Sequence, residues 1–309
     1  MLLRITPNES LGGERVGEPA AKTLISDETD AAEIALESAE IAVRRERFFE
    51  LRAVPSGRRV AILGVIGAVS FFGIWELGNF LTPESGKRFL PAVEEVLSRL
   101  IYLFAEKNFI YDVAISCMRI FGSFFIASLV AVPVGIAMGC FANFRALVNP
   151  TVSGWRYLPA ASFIPLLLVW FGPTETAKMG LLFLGVVFFL VAMVLDNTEA
   201  VQNELIEAAL TMGATRKRVV LGVVVPAAAP AIIDSMRTMI AVGWTYLVIA
   251  EIVGAQAGIG AVMMRAGRFL NVDTIMAGIL MIGILGVMTD IFFRVLARIL
   301  FPWNRGRRG

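Results

Sequence analysis

From residue 58 to residue 303 the chain alternates long apolar runs with short polar breaks, and that alternation predicts its elements. Runs that approach or exceed the ~18–20 apolar residues needed to cross a bilayer as a helix cover about 60–81, 114–141, 151–171, 176–194, 227–253 and 274–300. Six spans are expected, which makes this an all-α membrane protein. Between the first two, Pro91 is placed to open a short external helix with Val93, Val96, Leu97 and Leu100 on one face. Gly122, Gly135 and Gly139 in the second run allow another helix to approach closely. Asn143, Arg145 and Asn149-Pro150 predict a turn after it. The third run contains Pro159 and Pro165, whose freed carbonyls must be satisfied inside protein or a wet cavity. Residues 254–273 read as an outer loop.

The polar segments set orientation. Residues 1–57 form a separate extension; its first 23 residues have no periodicity and read as disordered. From Asp27 an Ala/Glu/Arg-rich run reads as a short amphipathic helix, with acids first and Arg44, Arg45 and Arg47 last, as the helix dipole favours. Phe48, Phe49 and Leu51 then suit an interfacial anchor. Arg58 and Arg59 precede the first span, and Arg305, Arg307 and Arg308 follow the last, so both termini are expected on the cytoplasmic side. The expected division is a cytoplasmic extension at 1–57, a transmembrane domain at 58–303 and a basic tail at 304–309.

One loop, at 203–220, breaks the apolar second half with a pattern of its own. Leu205, Ile206, Ala209, Leu210 and Met212 recur at helical spacing. Gly213 suits the left-handed end of a helix, and Thr215 is placed to cap a second short helix through Arg218. Glu207, Arg216, Lys217 and Arg218 are left to face a soluble partner.

Composition narrows the chemistry. Of 309 residues, 57% are hydrophobic and 17% charged, with net charge +2, so no nucleic-acid partner is implied. There is no histidine and no Gly-x-x-x-x-Gly-Lys-Ser/Thr cradle for ATP phosphates, so neither a metal site nor catalysis is expected in this chain. Cys117 and Cys140 fall on one expected helix on the order of 34 Å apart, too far for a disulfide.

Glu207-Ala208-Ala209, three residues, Gly213-Ala214, then Val225-Pro226 and Arg237 resemble the cytoplasmic "EAA" loop of ABC importer permeases. From about Phe89 to Trp303 the chain is similar to the branch of that family serving taurine, alkanesulfonates and nitrate. The similarity rests on Pro91 with Val96-Leu97, Arg119 with Gly122, Leu158-Pro159, Ile164-Pro165-Leu166, Trp170-Phe171-Gly172, Glu175-Thr176-Ala177-Lys178, Trp244, Glu251 and Phe301-Pro302-Trp303. Pro173-Thr174, Asp234-Ser235-Met236, Arg265 and Arg268 depart from the branch pattern.

The resemblance implies the type I importer permease fold in a bacterial inner membrane. It further implies a second copy of the chain, two cytoplasmic ABC ATPase subunits that hold the ATP and Mg, and a periplasmic solute-binding protein. Within it, Glu207, Ala208, Ala209, Gly213, Ala214, Arg216, Lys217 and Arg218 would couple to the ATPase. Arg119, Tyr157, Pro159, Pro165, Trp170, Trp244 and Glu251 are candidates for the translocation path, and Arg265 and Arg268 for anion attraction at its outer mouth. A structural pairing of Arg119, Glu76, Lys178 and Glu251 stands beside the pathway reading, and a local Asp290–Arg294 pair is expected on the last helix. The implied solute is a small anion, a sulfonate first, with nitrate, bicarbonate, a carboxylate or a vitamin precursor as alternatives. An ATP-independent carrier is the runner-up class.

Overall fold

The computed structural model describes residues 56–254 and 256–303. The expectations for residues 1–55 and for the tail with Arg305, Arg307 and Arg308 lie outside the described residues. The chain divides into two compact units, Met1–Val60 and Ala61–Gly309, and the helical bundle belongs to the second.

Among the described residues there is no strand. The helices, in order, are α1 (Gly57–Leu81), α2 (Glu84–Lys87), α3 (Val93–Glu106), α4 (Phe109–Cys140), α5 (Ala142–Arg156), a 3-10 turn (Ala160–Phe163), α6 (Ile164–Phe171), α7 (Glu175–Glu199), α8 (Asn203–Thr211), α9 (Arg216–Val219), a π turn (Val220–Val224), α10 (Val225–Ile252), α11 (Ile259–Arg268) and α12 (Val272–Leu300). Among the described residues, five helices are long and apolar enough to cross a membrane, the fourth of them running from Arg216 through α10 without a break.

The third expected span is not one helix. The segment bends by 88° between α5 and Ala160–Phe171. Pro159 is extended (φ −62°, ψ 119°) and ends the first half, and Pro165 sits in the first turn of α6, where its missing N–H costs nothing. The expected turn at 143–150 is also absent: α5 starts at Ala142 and carries Pro150 inside it.

Helix α7 is the centre of the bundle, packed between α4 and α10, with Leu190 and Val194 fully buried. The glycines of α4 permit this. A Cβ on Gly135 would lie 2.6 Å from Val194 Cβ, and one on Gly139 would lie 2.5 Å from Thr198 Cβ. Arg119 likewise meets Glu175, so α4 and α7 run side by side in the same direction. Both cysteines lie on α4 and are free, as their spacing requires.

Polar ties close the ends of the bundle. Asn197 Nδ2 donates to Ser235 Oγ (2.7 Å), and Arg145 pairs with Glu199. The expected Asp290–Arg294 pair is present at 2.6 Å, but Asp290 also holds Arg237 Nε at 2.9 Å, which joins α10 to α12. On the opposite side, α3 is a helix as expected; Val96 is buried while Leu97 is exposed. Arg99 Nε donates to Thr274 Oγ1 (2.8 Å) and pairs with Asp273, tying α3 to α12.

Helix α1 buries no residue against the rest and is held near its far end. Trp75 Nε1 donates to Pro91 O (3.0 Å), Asn79 Nδ2 donates to Leu90 O (2.6 Å), and Glu76 accepts from Val93 N–H (3.1 Å). Trp75→Phe keeps an aromatic ring but removes one of these bonds. It is expected to cost about 1 kcal/mol, read as a small drop in the unfolding temperature of the purified protein; no drop would mean that the indole bond does not hold α1.

Candidate functional site

Two features stand out, at opposite ends of α7. The first is the loop at 203–220. Helix α8 ends in a complete Schellman arrangement: Ala214 N–H bonds Ala209 O (3.0 Å), Gly213 N–H bonds Leu210 O (2.9 Å), and Gly213 has φ 82°. Ala209 is the buried anchor of the turn, with Ala214 half-buried beside it. Thr215 occupies the N-cap position of α9 with extended backbone, but its side chain makes no capping bond, a correction to the expected cap. Around exposed Glu207 and Ala208 lie the exposed apolar side chains of Leu205, Leu210 and Met212, the last 81% accessible, followed by exposed Arg216, Lys217 and Arg218. Apolar groups and charges thus share one projecting surface.

The second feature is a cluster of charges at the first turns of α7. Arg119 (4% exposed) reaches from α4 in two directions. Its Nε and Nη2 donate to the two oxygens of Glu175 at 2.6 and 2.7 Å, while Nη1 donates to Glu251 Oε1 (2.8 Å) and to Ala257 O (2.7 Å). Lys178, one turn along α7, donates to Glu175 Oε1 at 2.8 Å.

Glu251, 1% exposed at the end of α10, is bonded on both oxygens. Ser116 Oγ donates to Oε1 (2.6 Å), and Gly260 N–H donates to Oε2 (2.8 Å). An ion this deep costs several kcal/mol unless paired and fully hydrogen-bonded, and here both conditions are met.

The same groups build α11. The first N–H groups of a helix lack intrahelical partners. Here Gly258 N–H bonds Asp112 Oδ1 (2.7 Å), Ile259 N–H bonds Ser116 Oγ (3.0 Å), and Gly260 N–H bonds Glu251. Side chains of α4 and α10 therefore cap α11 in place of a local residue. Gly258 has φ 118°, and a Cβ there would lie 2.5 Å from Glu251 Oε1. The expected outer loop at 254–273 is corrected accordingly: it contains a ten-residue helix held at its start by the ion cluster.

The sequence candidates fall into distinct places. Arg119 and Glu251 are brought together as a buried pair. Trp244 is buried between α4 and α12, edge-on to Phe121, with Nε1 donating to Thr289 Oγ1 at 3.3 Å. Tyr157 (85% exposed), Pro159, Pro165 and Trp170 are exposed along the bent segment. Trp155 stacks between Phe163 and Phe188. Arg265 and Arg268 are exposed in the last turn of α11, and Arg265 Nη1 donates to Gln256 O (2.7 Å).

Asp112, Ser116 and Glu175 were not among the candidate site residues. The available signal was Asp112, Ser116 and Arg119 at i, i+4 and i+7, a polar line on one face of an apolar helix.

A bundle of long apolar helices with a projecting loop helix pair at one end and a buried ion cluster at the other defines a multi-span membrane protein. Comparison with known proteins makes the class specific. The family model for binding-protein-dependent transport system inner membrane components matches residues 131–305. The taurine transport system permease of Escherichia coli is 35% identical over 221 residues, 70% of this chain and 80% of that protein. A putative ABC transporter permease of Methanocaldococcus jannaschii is 32% identical, over 70% of this chain and 83% of its own length. A putative aliphatic sulfonates transport permease of Bacillus subtilis is 26% identical, over 84% and 94%. Among solved structures, the inward-facing MetNI methionine ABC transporter shares the fold, with TM-score 0.56 at 21% identity over 62% of this chain and 94% of that chain.

The chain belongs to the binding-protein-dependent transport system inner membrane component family. It is an ABC transporter permease, a transport component of the inner membrane.

Proposed function

We propose that this chain, as a homodimer, forms the translocation path for a small anionic solute of the sulfonate class. In this reading a binding protein delivers the solute outside, and a separate pair of ATPase subunits drives the cycle from the cytoplasm. The observation that carries it is the surface of α8 and α9. Leu205, Leu210 and Met212 are exposed around Glu207 on a turn whose geometry is fixed by the Schellman bonds. Exposed apolar side chains beside charges suit a protein groove better than water or headgroups. The sulfonate preference draws on the names of the similar permeases; nitrate, bicarbonate and carboxylates fit the same class. With the loop on the cytoplasmic side, Glu175 at the other end of α7 lies about 36 Å away along the helix axis, near the outer surface.

The test is purification from membranes by a tag on this chain, wild type against Glu207→Ala. An ATPase is expected to copurify with the wild type, and Glu207→Ala is expected to lower its retention or its solute-stimulated ATP hydrolysis roughly tenfold, the loss typical of one central charged contact. Failure of any ATPase to copurify under gentle extraction would favour an ATP-independent carrier.

A further inference from the structure

Arg119 and Lys178 direct three N–H groups at a single carboxylate, that of Glu175. The donors are buried, Lys178 being 6% exposed, whereas the Glu175 side chain is 57% exposed. This arrangement opens on a cavity of about 770 Å³ lined in part by Tyr111, Arg119, Thr174, Glu175, Lys178 and Gln256. A planar guanidinium fork with an ammonium beside it is a donor set for the oxygens of a carboxylate, sulfonate or phosphate. In this structure a tethered side chain takes that place.

The two acids on Arg119 differ in what release would do. Glu251 is enclosed and bonded to Ser116 and Gly260, so freeing it would strand a buried charge. Glu175 can leave into the cavity without burying an unpaired charge. A second anion arriving as Glu175 leaves keeps Arg119 and Lys178 paired, while the displaced carboxylate carries its charge into the open cavity.

We infer that Arg119 Nε and Nη2 together with Lys178 Nζ form a binding site for the acid group of an oxyanion solute, sulfonate or carboxylate, and that Glu175 is the internal occupant that the solute displaces. The inference rests on the proposed permease function and assigns the residues that receive the solute's charge.

The test uses the complete purified transporter carrying wild-type chain, Glu175→Gln, or Glu175→Gln with Lys178→Gln. Thermal unfolding is followed in rising sodium ethanesulfonate and, separately, sodium acetate, each against sodium chloride at equal ionic strength. The amide retains the shape of the occupant without its charge. The half-stabilising concentration of one or both oxyanions is expected to fall about fivefold in Glu175→Gln, the scale of a partly exposed ion pair, and to rise again in the double variant. An unchanged or higher concentration in Glu175→Gln overturns the inference, as does an equal response to chloride or no response to either oxyanion. ATP hydrolysis stimulated by the binding protein is measured on the same wild-type preparation. If it is present while the Glu175→Gln shift is absent, only the displacement idea fails; if it is absent, the permease reading fails.

Discussion

Arg119→Leu is expected to prevent the chain from accumulating as a folded membrane protein. The substitution leaves Glu251 enclosed without its counter-ion, and breaking a buried pair from one side costs about 3–5 kcal/mol, a large share of the stability of a typical domain. It also removes the donor to Ala257 O and one anchor of the turn that starts α11. Arg119→Lys is expected to fail almost as badly, because one ammonium cannot face Glu175 and Glu251 at once as the guanidinium does. Adding Glu251→Gln to Arg119→Leu removes the stranded charge and should recover part of the yield. The measurement is monodisperse yield by size exclusion, with the unfolding temperature of whatever survives. Wild-type yield and unfolding temperature for Arg119→Leu would show that the pair does not hold this end of the bundle.

A second large effect is expected at the contact between α4 and α7. Gly135→Val places a Cβ 2.6 Å from Val194 Cβ and 2.9 Å from Val191 O, with two further methyl groups behind it. Overpacking of this kind costs about 1–3 kcal/mol where neighbours can move, and here one of the obstacles is backbone. The helices must separate along the best-packed seam of the fold, and Gly139 against Thr198 continues the same seam one turn on. Gly122→Ala is the control: the flexible end of Met179 is what its Cβ would meet, at 3.2 Å. A drop in unfolding temperature for Gly135→Val with little change for Gly122→Ala is the expected result; equal behaviour would mean that the seam is not close-packed.

The long spans were legible because apolar length is a nearly sufficient signal. The run expected at 176–194 appears as Glu175–Glu199, and the one at 274–300 as Val272–Leu300. The expected ends stopped short where polar residues began, although helix geometry runs on through Asn197 and Thr198 once Ser235 and the Val194 carbonyl accept their polar groups. The third span failed for a different reason. Pro159 and Pro165 were visible, but hydropathy records how apolar a segment is and not its direction, so an 88° bend left no mark on the pattern.

Helix α11 was hidden because its capping groups are distant in sequence. Gly254, Gly258 and Gly260 read as loop, and the acceptors that make a helix start there, Asp112, Ser116 and Glu251, belong to other helices. The ion cluster was half legible. Arg119, Lys178 and Glu251 stood out as charges in apolar surroundings, and Glu175–Lys178 has helical i, i+3 spacing. Which charges meet depends on the parallel packing of α4 with α7, which the glycines permit but do not announce. Trp244 shows the opposite limit, since an aromatic residue in a span carries no sign of whether it faces an opening or, as here, the packed interior.

The π turn at Val220–Val224 joins α9 to α10 within one continuous helical run. A π turn holds one residue more than an α turn, and each residue of an α-helix advances the azimuth by about 100°. Because the wider turn takes up the extra residue, Arg216, Lys217 and Arg218 keep nearly the compass bearing around the axis of α10 that a plain α-helix one residue shorter would give them. Removing one residue there would close the run into an ordinary α-helix and leave both the apolar side chains beyond Val225 and the three cations close to their present bearings. The turn is an expansion joint, through which the chain gains a residue without re-aiming the loop surface.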